Sequence, residues 1–69
     1  MSYLAKRSFT LSRHRTSVAL EPAFWAALER AAAARGIAVS GLIADVDAER
    51  DPSQPLASAL RLLALHDRS

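Results

Sequence analysis

The sequence predicts a mainly helical chain, one N-terminal β-strand followed by three helices, completed by a second copy of itself. Three observations carry this. Residues 16–20 alternate polar and apolar at period two, the mark of a half-buried strand. From residue 22 onward the apolar residues recur at helical spacing, in three stretches separated by breakers. The chain has 69 residues, no cysteine and 51% hydrophobic residues. A domain this small is marginal alone, and with disulfides and thiolate metal sites excluded, oligomerisation is the expected staple.

The strand comes first. Thr16, Val18 and Leu20 share one face of a strand expected over 14–20. The run 7–11 also alternates, with Phe9 and Leu11 apolar. The parity differs, odd in the first run and even in the second. One regular strand cannot bury both sets, because the side-chain period is two. A turn, bulge or break is therefore expected between Ser12 and Arg15, with a short strand near 7–11 as an option. Residues 1–13 are otherwise read as a basic arm. If the 7–11 run does not pair with the main strand, the strand must pair with its twin across a two-fold axis, since unpaired buried backbone is costly.

The helices follow. Pro22 suits a first helical turn, where its missing N–H would be unpaired anyway. Alanine and leucine then dominate to Arg35, and Gly36 supplies a left-handed stop, giving a helix over 22–35. Its stripe is Phe24, Leu28, Ala31 and Ala32, with Trp25 beside it. A second helix is expected over 39–50, with Val39, Leu42, Ile43 and Val46 on its apolar face. Asp51-Pro52-Ser53-Gln54-Pro55 breaks the chain. A third helix over 56–66 is apolar almost all round, through Leu56, Ala59, Leu60, Leu62, Leu63 and Leu65. Such a helix is buried or lies at an interface. This gives three segments: arm 1–13, strand–helix–helix core 14–50, and breaker plus C-terminal helix 51–69.

Charge is uneven although the net is only +2. Residues 1–20 carry Lys6, Arg7, Arg13 and Arg15 and no acid, whereas 21–51 carry six acids against three bases. A basic N-terminus on an acidic body suggests a polyanionic partner. There is no apolar run for a signal peptide or a membrane span, so the expected compartment is the cytoplasm and no membrane partner is expected. No nucleophile–base pair, carboxylate dyad or glycine-rich phosphate loop occurs, so a non-enzyme without cofactor is expected. Asp45, Asp47, Glu49 and Asp51 alternate like calcium-loop ligands. Arg50 stands where such a loop needs glycine, and a helix splays the carboxylates around its axis. They read as a solvated acidic face. His14 and His66 lack ligand partners at useful spacing.

Thr16-Ser17-Val18-Ala19-Leu20-Glu21-Pro22, then Phe24-Trp25 and Leu28, then Arg35-Gly36-Ile37 and Leu42-Ile43, resemble the ribbon-helix-helix DNA-binding family of MetJ/Arc-type repressors. His14 to Asp47 further resembles a bacterial subgroup that carries an extra C-terminal helix. The resemblance implies an intertwined homodimer whose strands pair as an antiparallel ribbon and enter the major groove of double-stranded DNA. It implies a dimer core of Val18, Leu20, Phe24, Trp25, Leu28, Leu42, Ile43 and Val46. It assigns base reading to the outward Arg15, Ser17 and Ala19. Arginine can fork onto guanine, serine discriminates weakly, and alanine can only touch a thymine methyl. Phosphate contacts fall to Lys6, Arg7 and Arg13, and to the free N–H groups of Val39, Ser40 and Gly41 at the start of the second helix. Ala38 holds the cap position there, where a serine or threonine is usual.

Two rivals are weaker. A helix-turn-helix would push Asp45, Asp47 and Glu49 toward phosphates and leave the strand unexplained. A dimeric interaction module, antitoxin-like, would use 56–66 to bind a protein partner.

Overall fold

The computed structural model describes residues 4–67 and consists of a β-hairpin followed by three helices. The elements are β1 (Ala5–Leu11), β2 (His14–Leu20), α1 (Pro22–Ala34), α2 (Val39–Glu49) and α3 (Leu56–His66). The three helices match the sequence reading to within a residue at each end.

Residues 5–11 of the expected arm form a strand, longer than the 7–11 option, while residues 1–3 lie outside the described residues. β1 and β2 pair antiparallel from Leu11↔His14 to Ala5↔Leu20. The connection is two residues, Ser12 and Arg13, both at positive φ (49° and 69°). Two-residue hairpins favour this turn because its twist matches that of the strands. The parity switch follows from it. When Leu11 opposes His14, odd residues of β1 share a face with even residues of β2. Ala5, Phe9 and Leu11 therefore face the helices with Val18 and Leu20. The main strand has a partner within the chain.

Neither turn residue is a glycine, and the left-handed region costs an L-residue roughly 1–2 kcal/mol. Arg13→Gly is expected to raise stability by about 1 kcal/mol, a shift of several degrees in Tm for a domain this small. A thermal melt checks this; an unchanged Tm would show that the turn stores no strain.

α1 ends in a Schellman motif. Gly36 (φ +69°) donates its N–H to Ala33 O at 3.0 Å and Ile37 to Ala32 O at 3.0 Å. α2 follows Ala38 at its cap position, with no side-chain cap. Between α2 and α3, Ser53 donates from both N and Oγ to Asp51 Oδ1, which holds the turn and lowers the Asp51 carboxyl below its ordinary pKa.

The core is Leu11, Val18, Leu20, Trp25, Leu28, Ala31, Ala32, Leu42, Ile43 and Leu60. Every element contributes. Six of the eight residues expected at the dimer core, Val18, Leu20, Trp25, Leu28, Leu42 and Ile43, are buried within one chain, and Phe24 and Val46 are partly buried against them. β1 and α3 supply part of their cover within the chain. Trp25, not Phe24, is the fully buried aromatic of α1. Its Nε1 donates to Ala5 O at 2.7 Å, and its ring lies 5.9 Å from that of Phe9. This is how α1 grips β1.

α3 is less buried than its composition suggests. Leu60 is fully buried, whereas Leu62 is 47% and Leu65 60% exposed. Arg61 ties α3 to the strand–helix junction through Glu21 at 3.0 Å and lies 5.8 Å over the Phe24 ring. The Glu21 carboxyl is held below its ordinary pKa by a backbone hydrogen bond first and by Arg61 second. No helix among the described residues is long and apolar enough to cross a membrane.

Candidate nucleic-acid interface

The hairpin has two faces, and register decides what each carries. The inner face is pinned to the core by Leu11, Val18 and Leu20. The outer face follows by alternation: Lys6, Ser8 and Thr10 from β1, and Arg15, Ser17 and Ala19 from β2. They oppose each other in pairs, Lys6↔Ala19, Ser8↔Ser17 and Thr10↔Arg15. All are exposed except Ala19, which is half-buried.

The structure thus brings Arg15, Ser17 and Ala19 together on one surface and adds three β1 residues that the sequence reading left out or placed elsewhere. Lys6, expected on phosphates, stands on this same face beside Ala19. Ser8 and Thr10 received no role. The signal for them was the parity switch, which a two-residue turn explains. Once that turn is granted, Ser8 and Thr10 must lie opposite Ser17 and Arg15.

Short polar contacts organise the face. Ser8 Oγ and Ser17 Oγ are 3.0 Å apart, a cross-strand hydroxyl pair. Arg15 Nη1 reaches 3.5 Å from Thr10 Oγ1, a long contact that leans the guanidinium across the ribbon. There is no acid on the outer face, and Lys6, Arg13 and Arg15 form no ion pair among the described residues. Arg13 and His14 are exposed at the ribbon tip.

Arg7 is different. Alternation turns it inward, where it stacks 4.7 Å over the Trp25 ring and pairs with Glu29 at 2.8 Å. It braces β1 on α1 and does not join the outward cations. Glu29 and Asp47, two acids of the body, are likewise engaged, Asp47 by Arg50 at 2.8 Å.

Val39, Ser40 and Gly41 form the first turn of α2. Ser40 is exposed, Val39 and Gly41 half-buried. No side chain caps this end and no acid occupies the first turn, so its N–H groups are not claimed by a side chain of the cap.

The outer face offers hydrogen-bond donors, hydroxyls and cations on a two-stranded ribbon. The major groove, about 12 Å wide, admits a ribbon of that width. Among the described residues no group of three or more histidine, cysteine, aspartate or glutamate side chains is placed to hold a metal.

Comparison with known proteins agrees with this geometry. The ribbon-helix-helix domain family matches residues 4–67, from the start of the hairpin to the end of α3. No curated protein and no solved structure matches the chain. The family is a non-enzymatic DNA-binding fold. By a match that spans both strands and all three helices, the chain belongs to the ribbon-helix-helix domain family.

Proposed function

We propose that the protein is a DNA-binding transcriptional regulator, acting as a repressor, that lays the outer face of its hairpin in the major groove. The observation that carries this is the composition of that face: Arg15 and Ser17 at reading positions, Lys6 beside them, Arg13 at the tip, and no acid. Members of the family are typically transcription regulators or antitoxins. Arg15 reads a base edge, Ser17 and Ala19 add hydroxyl and methyl contact, and Lys6 and Arg13 supply phosphate charge. The α2 start, with Val39, Ser40 and Gly41, serves as a second phosphate contact.

Fluorescence anisotropy on duplex DNA tests the reading. One duplex carries the gene's own upstream region and a control is scrambled, each at several salt concentrations. Binding should favour the upstream duplex and weaken steeply with salt, because lysine and arginine release condensed counterions. An affinity that is flat between low and physiological salt would remove the cationic ribbon from the mechanism.

The regulator acts as a homodimer, in keeping with the paired half-sites such proteins occupy. Among the described residues, exposed apolar side chains lie on the outer side of α3, at Leu62 and Leu65, and also at Leu4 and Ile37. Sedimentation that shows a folded monomer at micromolar concentration, in the presence and absence of DNA, would overturn this. Leu62 and Leu65 support a second reading, an antitoxin-like module in which α3 binds another protein. Absence of any DNA binding at low salt would favour it.

A further inference from the structure

We infer that α3 is a self-pairing helix: it packs antiparallel on the α3 of a second copy, about a two-fold axis at Leu62, and so joins two dimers. This rests on the homodimer reading above and goes beyond it by giving the C-terminal helix a contact of its own.

The outer face of α3 holds both halves of such a contact. Leu65, at 60%, is the most exposed of the large apolar side chains among the described residues, and Leu62 is 47% exposed. Beside Leu62 a cavity of about 230 Å³ opens between α3 and the end of α2. Its lining includes Val46 and Glu49 of α2 with Ala59, Leu62 and Leu63 of α3. A cavity of about 150 Å³ takes a benzene ring, so this one has room for a side chain from outside. Ala59 and Leu65 lie three residues either side of Leu62, about 4.5 Å along the helix. A two-fold axis at Leu62 therefore brings each copy's Leu65 level with the other's Ala59, large against small. The last turn of each helix then lies at the other's cavity. There the His66 ring can donate to Glu49, an exposed acid with no ion pair among the described residues. A projecting residue and a recess on one face are what a contact between identical surfaces requires.

The size of the face decides what the contact can do. α3 has 11 residues. It is about 16 Å long and about 10 Å wide, a strip far smaller than the roughly 800 Å² that each partner buries in a stable interface. The strip cannot hold a dimer by itself. Domains of this family generally form dimers that bind DNA. The α3 contact is an addition to that dimer, made between one dimer and the next.

The chain has no cysteine, so a single introduced one reports proximity without background. Packed helices lie about 8–10 Å apart, with Cα atoms about 2.3 Å off each axis. Leu62 thus meets its twin with the Cα atoms about 4–5 Å apart, within disulfide reach. Ser58 is displaced from its own twin by about 12 Å along the axis, which is out of reach. Under mild oxidation Leu62→Cys should cross-link about tenfold faster than Ser58→Cys, because a formed pair raises the local thiol concentration. Adding Leu65→Ala to Leu62→Cys should slow the cross-link about tenfold through the lost apolar contact. Leu62 and Leu65 are exposed, and a circular-dichroism melt verifies that each variant folds. The cross-linked protein should be two chains when denatured and four or more in native sedimentation. Equal rates at positions 62 and 58, or a rate indifferent to Leu65→Ala, would overturn the inference and leave the homodimer intact. A native mass of two chains after cross-linking would overturn it as well, by placing α3 inside the dimer. A parent that sediments as one chain would instead sink the homodimer reading on which the inference rests.

Discussion

Trp25→Ala is expected to unfold the protein at room temperature. Trp25 is 1% exposed and is among the largest fully buried side chains. Truncating a buried tryptophan costs about 3–5 kcal/mol in a core that cannot collapse around the gap. Domains of this size have only a few kcal/mol to lose. The loss is not packing alone. The indole N–H satisfies Ala5 O, and the ring face carries the Arg7 guanidinium at 4.7 Å. Both of these contacts run between α1 and β1, so the hairpin should detach before α2 and α3 separate. Trp25→Phe keeps most of the apolar body and removes the donor, and is expected to fold with a loss of about 1–2 kcal/mol. Denaturant titration followed by circular dichroism distinguishes the two. An alanine variant that retains a cooperative transition near that of the parent would show that the hairpin is held elsewhere.

This anchor was only half legible in the sequence. Phe24 and Trp25 are neighbours on a helix and cannot both point inward. The helical stripe alone favours Phe24, through Leu28 and Ala31. What reverses the choice is β1, whose Ala5 carbonyl and Phe9 ring lie where the indole goes. Sequence periodicity is local, and the partner that decides the matter is twenty residues away. The three helices, by contrast, were readable, because Pro22, Gly36 and the Pro52–Pro55 breaker act through their own backbone.

The hairpin shows the same division. The change of parity between Phe9 and Val18 was visible and required a break in the strand. The turn type was not, since Ser12-Arg13 lacks the Asn-Gly or Asp-Gly pair that marks such a turn. Without the turn the strand looked unpaired, and a second chain was the natural partner. The reading face was affected in turn. Arg15, Ser17 and Ala19 follow from alternation along one strand. Ser8 and Thr10 require the cross-strand register, which only the turn sets. In α3, apolar composition predicted cover on every side, but a helix at the edge of so small a body can bury one side only, which leaves Leu62 and Leu65 outside.

Arg15→Ala is expected to abolish most of the sequence preference while leaving a substantial part of the affinity. Arg15 is the one residue on the outer face with a planar fork of donors, and Thr10 engages a single Nη of it. The remaining N–H groups suit O6 and N7 of guanine, a contact that discriminates by about 1–3 kcal/mol, or roughly 5- to 150-fold. Arg15→Lys separates fork from charge. A lysine keeps the cation but binds as a point charge, so it should hold affinity for random duplex near that of the parent and still lose guanine preference. Lys6→Ala should behave in the opposite way. It removes a phosphate contact, so affinity should fall about equally on all sequences and the salt slope should flatten by about one unit. Anisotropy on matched and scrambled duplexes over a salt series separates the three variants. If Arg15→Ala and Lys6→Ala proved indistinguishable on both duplexes, the outer face would be a polyanion surface without a reader. The family's fold would then be serving affinity alone.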